Sequence, residues 1–282
     1  MAAVLGAGDV GSAVAHTLFS AGYDVVLFED EQPTAPRRGM CWVDAVFDGK
    51  ATLAGLTAVR VFQPDEAAQA VAQRDWLPLA VGADLPRWLE ALGADLLVDA
   101  RLRKHATAQP DLRAFGLPSI GIGPGYSAGE QADLVVESAW GEDLGRVIEH
   151  GATRALAGEP RPILGVGRER LIYAPAAGVF ASGLRIGDAV RAGDPVGLLH
   201  GAQGDAIVLH APLSGVLRGL TRPGVTVQRR TKLVEVDPRG DPALCFGLGE
   251  RPSRIARGVL QAADRLRHTT LQREQARQVR AA

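Results

Sequence analysis

Three glycines placed directly after a short apolar run constrain this chain most. Residues 2–5 are apolar, Gly6, Gly8 and Gly11 follow, and Val10, Val14, Leu18 and Phe19 fall mostly on one helical face. Gly22 ends that pattern, and a second apolar run, 25–28, closes on Glu29. Short apolar runs bounded in this way suit buried strands. The stretch therefore reads as strand, glycine turn, helix, strand, acid, the order of a dinucleotide-binding unit. In such a unit Gly6 permits a tight turn, Gly8 lets a pyrophosphate approach the backbone, and Gly11 lets helix and strand pack closely. Unpaired N–H groups at a helix start favour an anion, and Glu29 stands where an acid accepts from a ribose 2′-hydroxyl. The plainer reading is that the glycines only close a turn.

The same alternation continues. Strands are expected at 59–62, 77–81, 96–98, 119–122 and 134–136, and helices at 65–74 and 85–92. Such alternation implies a parallel sheet with helices on its faces. Ligands of such sheets sit beyond the carboxyl ends of the strands. Four polar or glycine-rich segments follow strands and should gather there: 6–11, 29–38, 99–105 and 121–129. Arg37 and Arg38 can bind an anion or serve as solvated loop charges. Asp99 brings an acid, with Arg101, Arg103, Lys104 and His105 behind it. Gly121, Gly123 and Gly125 can offer backbone N–H groups to an anion, or simply form a turn. Ser127 sits in a Gly-x-Ser-x-Gly pattern, but Gly123-Pro124-Gly125 interrupts the strand that a nucleophile elbow needs.

A chain of 282 residues suggests two domains. Its 31 basic and 32 acidic residues imply no steering of nucleic acid or an anionic membrane. Positive charge is carried almost wholly by arginine; lysine occurs only at 50, 104 and 232. Cys41 and Cys245, far apart in sequence, fit a reducing compartment, and no zinc-ligand spacing occurs, so no metal is expected. No apolar run is long enough to span a bilayer. The start of the chain lacks a leader signature. A cytoplasmic location follows as the expectation.

Glycine and proline cluster over 151–167, a linker by composition. Beyond it Ala174-Pro175 with Gly178-Val179 recurs as Ala211-Pro212 with Gly215-Val216, and Gly187 with Val190 recurs as Gly224 with Val227, all at one offset of 37 residues. Two similar halves of short strands imply a small β barrel or sandwich, and the pattern resembles the biotinyl/lipoyl carrier fold. No lysine lies between 105 and 231, so covalent biotin or lipoate is excluded. His200 and His210 read as surface or strand residues, because no third ligand is evident. The expected fold class is α/β: a Rossmann-like parallel sheet domain over 1–150, a linker over 151–167, a biotinyl/lipoyl-like barrel-sandwich without its lysine over 168–237, and a C-terminal turn and helix over 238–282.

Several segments together resemble one family, the selenium-dependent molybdenum hydroxylase system proteins of YqeB type. They are Gly6 to Asp9, Glu29 with residues 32–34, Arg37-Arg38, Asp99-Ala100 with Lys104, Gly121 to Gly125, Glu137, residues 144–148, the repeated Ala-Pro motif, Asp237 to Gly240, and Cys245. They cover nearly the whole chain. A family-like lysine after the cysteine segment is replaced around Ser253-Arg254, and Cys41 lies outside the shared motifs. The resemblance implies a role in maturing molybdenum hydroxylases of the xanthine dehydrogenase type, with a client hydroxylase or other maturation factors as partners.

Three functional readings follow. The first is a maturation factor holding NAD(P) or molybdopterin dinucleotide through Gly6, Gly8, Gly11, Glu29, Arg37, Arg38, Asp99, Gly121, Gly123 and Gly125. The second is an NAD(P)-dependent oxidoreductase on a small substrate, with Lys104, His105 and Asp99 as proton-handling candidates. The third is a docking module without catalysis. Cys245 is a candidate sulfur or selenium carrier if nearby arginines lower its pKa; otherwise it packs as a small hydrophobe.

Overall fold

The computed structural model describes residues 1–104, 108–156, 158 and 160–281, so His105 lies outside the described residues. The first half runs β1 (Ala2–Leu5), α1 (Asp9–Ser20), β2 (Val25–Glu29), α2 (Ala45–Asp48), β3 (Lys50–Leu53), β4 (Leu56–Val61), α3 (Pro64–Gln73), β5 (Leu77–Val81), α4 (Leu85–Leu92) and β6 (Leu96–Asp99). It continues through β7 (Ser119–Ile122), β8 (Ser127–Ala128), β9 (Leu134–Val136), β10 (Val147–Ile148) and β11 (Gly151–Ala152). Nine of these strands form one sheet in the order β10-β9-β7-β6-β1-β2-β5-β4-β3. β1 lies at its centre, parallel to both β2 and β6.

Every residue of β1 is buried because both faces of the sheet are covered. Ala2 and Val4 join the core beneath α1, while Ala3 and Leu5 join the core beneath α3 and α4. That division follows from the two-residue period of a strand. α1 contributes Val10, Val14 and Leu18. Gly11 lets it approach, since a Cβ there would lie 1.8 Å from the Gly6 carbonyl oxygen.

The second half holds β12 (Leu171–Tyr173), β13 (Gly178–Ala181), β14 (Ala189–Val190), β15 (Pro195–His200), β16 (Ala206–His210), β17 (Gly215–Leu220), β18 (Thr226–Val227), β19 (Lys232–Asp237) and α5 (Glu250–Ala281). Two four-stranded sheets result, β12-β19-β17-β14 and β16-β15-β13-β18. The 37-residue repeat has a structural meaning. Gly178 pairs with Val227, and its repeat partner Gly215 pairs with Val190, so each half lends its short strand to the other half's sheet.

The expected fold class is corrected by this arrangement. The chain is a mixed α/β fold with several sheets, not a Rossmann-like parallel domain followed by a biotinyl/lipoyl-like barrel. The large sheet carries antiparallel strands at both edges, β3 against β4 and β10 against β9. A two-stranded sheet, β11-β8, is a further addition. α5 follows the second half in sequence yet buries Ile255, Ala256, Val259, Ala262 and Ala263 in the core beneath α1. Apolar burial of that kind contributes about 25 cal/mol per Å², so α5 ties the end of the chain to its beginning. Among the described residues, no helix is long and apolar enough to cross a membrane.

The close crossing at Gly11 gives a direct test. Gly11→Val should cost at least about 3 kcal/mol or prevent folding, because backbone rather than a flexible side chain occupies the space. Gly8→Ala, whose nearest added contact is 4.0 Å, should cost at most about 1 kcal/mol as a helix-cap change. Denaturant melts of the two variants check this.

Candidate functional site

Carboxyl ends of the strands present charged side chains here, as the alternation implied, but many are engaged within the protein. Glu29 ends β2 and accepts the Ala7 amide at 2.6 Å through Oε2 and the Asp30 amide at 2.8 Å through Oε1. Burial outweighs these donors and raises its carboxyl above the usual range. The Asp9 carboxylate sits in the first turn of α1 and accepts the Val10 amide. Two amides of the glycine turn are thereby used internally. Asp99 ends β6, buried, and accepts from Arg101 Nη2 at 2.6 Å and from the Tyr126 hydroxyl at 2.8 Å. Burial opposes its ionisation, but these bonds to Arg101 and Tyr126 hold it below the ordinary carboxylate range. The Tyr126 ring fills the space that a Cβ on Gly121 would need, and Thr153 does so beside Gly123. Gly125 follows in the same loop with a positive φ of 88°.

Arg37 and Arg38, adjacent in sequence, take different partners. Arg38 forms a fork with Asp44 at 2.7 and 3.0 Å. Arg37 forms one with Glu235 on β19, at 2.9 and 3.0 Å, and donates its remaining nitrogen to Asp9 at 3.1 Å. Glu235 is wholly buried. Burial favours its neutral form, yet Arg37, Lys232 and Arg218 prevail and bring its pKa down to about 2. The backbone reinforces the crossing, since the Leu220 amide of β17 donates to the Pro36 carbonyl at 2.7 Å.

Register shifts aim the β19 and β17 side chains at this crossing. Tyr173 pairs with Lys232 and Ile172 with Val234, leaving Leu233 as an extra residue. Leu233, Val234 and Val236 consequently share one core, and Lys232, Glu235 and Asp237 are left for the other face. A second shift on β17 makes Arg218 the extra residue, and it approaches Glu235 and Asp237.

Three further cations gather beside the Asp9–Arg37 pair. Lys104 follows β6, Lys232 begins β19, and Arg251 begins α5 and donates to the Ser138 carbonyl at 2.8 Å. Arg251 also feels Glu137, whose buried carboxylate is held by the amides of Ser138, Ala139 and Arg154. Burial lowers the pKa of Lys232 to about 8, with Arg37 and Lys104 adding to the fall and Glu235 opposing it. Lys104 stays accessible to solvent, but the protein around it and the Arg251 charge still lower its pKa. Burial lowers Arg251 likewise. Asp9 is held below its ordinary value against burial by Arg37, Arg251, Lys104 and Lys232 together. Among the described residues, none of these three cations has a carboxylate at ion-pair distance, and no cluster suits a metal.

Cys245 is fully buried, and burial followed by Asp237 raises its thiol pKa over the pull of Arg218 and Arg239. Lys232, Arg251, Glu235 and Asp9 were not among the site residues expected from sequence. One signal was available: of three lysines in the chain, two act on Asp9.

No family model matches the chain. It is 35% identical to the uncharacterized protein YqeB of Escherichia coli K12 over 266 residues, which is 94% of this chain and 47% of that protein. The chain thus spans about half the length of the curated relative it matches. Solved structures with a likeness include a succinylglutamate desuccinylase/aspartoacylase from Rhodobacter sphaeroides, 17% identical, covering 79% of this chain and 61% of that one at a TM-score of 0.25. Another is the ectoine utilization protein EutE (DoeB) from Ruegeria pomeroyi in its apo form, 13% identical, covering 83% and 85% at a TM-score of 0.27. Such scores transfer no activity to this chain. The expected function, a molybdenum hydroxylase maturation factor holding a dinucleotide at this edge, is corrected by the site itself. The geometry adds a physical reason, because Glu29, Arg37, Arg38 and Asp99, meant to hold a dinucleotide, are bound to other groups of the protein.

The Arg37 fork should dominate the response to mutation and to acid. Arg37→Met leaves Glu235 short of its bidentate partner and should cost about 3–5 kcal/mol, as breaking a buried pair does. Because the Glu235 pKa falls on folding from 4.5 to about 2, its contribution is present above the unfolded value and is lost as pH drops from 4.5 to 2. Stability measured across that range should fall less steeply in Glu235→Gln than in the parent protein.

Proposed function

We propose that this chain, which is similar to YqeB of Escherichia coli K12, binds a small polyanion carrying phosphate or carboxylate groups at Lys104, Lys232 and Arg251, the cations around Asp9. One observation carries this reading. Lys104 feels Arg251, Lys232 feels Lys104, and all three feel Arg37, yet no carboxylate of the described residues lies within ion-pair distance of any of them. Cations crowded in this way repel, and half-buried Lys232 loses hydration that no protein group replaces. An anion removes both penalties at once. Lysine supplies a point charge for such a group and arginine a planar fork. Arg37 is already engaged by Asp9 and Glu235, so it sets the local field without offering a free fork.

The buried carboxylates set the limits of the site. Asp9 and Glu235 are neutralised by Arg37, so they repel an incoming anion less than two bare acids do. Glu137 is held by three backbone amides. The ligand is expected to be small, because overall charge is balanced and no extended basic surface is implied.

Isothermal calorimetry with inorganic pyrophosphate and with citrate tests this. Binding should be seen, should weaken with added salt, and should fall at least about tenfold, or 1.4 kcal/mol, in Lys104→Gln and in Lys232→Gln. Lys50→Gln, at an exposed position that begins β3, should bind as the parent does. Lys232 titrates at about 8 without ligand. Affinity should hold below that pH and decline above it as the ammonium is lost. Equal affinity in all three variants would contradict the assignment.

A further inference from the structure

β16 is an edge of the sheet β16-β15-β13-β18, and among the described residues it pairs with β15 alone. Its hairpin closes with the Gly201 amide on the Asp205 carbonyl at 2.9 Å. Bonded pairs recur at every second position of an antiparallel ladder. Ile207 is therefore bonded to Leu199, and the amides and carbonyls of Ala206 and Val208 face away from β15, where no described residue meets them. Natural edge strands are guarded by lysine, proline, other charges or a covering element. Residues 206–210 read Ala-Ile-Val-Leu-His, with no lysine, proline or acid among them. The side chains are unfinished at the same place. Leu209 packs in the core with Leu199 and Phe180, so their neighbours Val208, Leu198 and Ala181 turn outward. Register sets these three in one cross-strand row, Ala181 opposite Leu198 and Leu198 opposite Val208. The row lines a groove of about 730 Å³, and none of the described residues lining it is charged. Leu198 has an apolar neighbour on each side, whereas Val208, 46% exposed, has one only.

We propose that β16 pairs antiparallel with β16 of a second copy of this chain, joining the two four-stranded sheets edge to edge across a two-fold axis. In the register that uses all five residues of the strand, Ala206 faces the second copy's His210, Ile207 faces its Leu209, and Val208 faces its own equivalent. Residues directly opposite one another point to the same side of a sheet, so this register keeps the core side chains in and carries the apolar row through Val208 into the second copy. Each Val208 gains the cross-strand neighbour that it lacks. The charges fit the antiparallel direction. Asp205 precedes β16 and His210 ends it. One His210 ring nitrogen lies 3.0 Å from the Gly193 carbonyl, and the other has no partner among the described residues. Antiparallel pairing sets the Asp205 end of each copy beside the second copy's His210 and keeps the two acids apart, whereas parallel pairing brings like charges together. Two copies with 31 basic and 32 acidic residues each also meet without net repulsion. A strand of this same sequence thus supplies the missing backbone groups, the apolar continuation and the reversed charges at once. Lys232 belongs to the other four-stranded sheet, so this pairing and the anion reading stand independently.

Light scattering of the full chain at about 1–100 µM reads the association. The mean mass should rise with concentration toward twice that of one chain. Val208→Lys places an edge guard at an exposed position; it should weaken association at least about tenfold while circular dichroism matches the parent. Val208→Cys gives a second reading that does not depend on weakening anything. Cys41 and Cys245 are buried, so oxidised glutathione should join two copies through position 208. Lys50→Cys, at the exposed start of β3, should join few or none. A parent that stays monomeric throughout overturns the inference, whether β16 then stays bare or takes a strand of another protein. So does a dimer that survives Val208→Lys, and so does an equal yield of joined copies from Val208→Cys and Lys50→Cys.

Discussion

The Arg37 guanidinium is the interaction on which the rest of this structure depends. Its three nitrogens join Glu235 in the second half of the chain to Asp9 at the head of α1. Removing two charges from water is costly, and a buried pair holds only when its geometry is good and its remaining atoms are bonded. Both conditions are met here by a bidentate fork plus a third acceptor. Without Arg37, the buried Glu235 carboxylate would keep, among the described residues, only Arg170 at 3.4 Å and Arg218 at 4.0 Å within ion-pair reach. The pair therefore fixes how the loop before Arg38 meets β17 and β19, and the Leu220–Pro36 backbone bond lies beside it.

That crossing also explains why cations without a carboxylate partner among the described residues can stand beside it. Asp9 and Glu235 lower the local potential enough for Lys104, Lys232 and Arg251 to approach, yet Arg37 occupies the carboxylate oxygens that would otherwise pair with them. Excess positive charge remains at a place built from the glycine turn, the end of β6, the start of β19 and the start of α5. Bringing these segments together requires α5 to return to α1 through Ile255, Val259 and Ala262. Apolar packing thus positions a polar site whose own groups repel one another.

Much of the first sheet could be read from sequence because its signals are local. Strands at 77–81, 119–122 and 134–136 and a helix at 85–92 end where glycine, proline or polar residues stop the apolar pattern. The close approach at Gly11 was legible for the same reason. The 37-residue repeat was visible too, but not the exchange of β14 and β18 between the halves, since pairing across a repeat leaves no local mark. Glu29 illustrates a failure of position as evidence. It stands at the end of a strand as a ribose-binding acid would, but it folds back onto the Ala7 amide. The fork between Arg37 and Glu235 joins residues 198 positions apart, and the register shift that turns Lys232 from the core is invisible in the apolar pattern of β19. Lys104 was marked by its place after β6, and Lys232 only by the scarcity of lysine.

A crystal structure of the protein grown with inorganic pyrophosphate tests the central claim most directly. The account predicts an ordered anion contacting Lys104, Lys232 and Arg251, with the Arg37 fork to Glu235 unbroken. A pyrophosphate bound elsewhere and touching none of these three cations, or one bound by Arg37 released from Glu235, would contradict it.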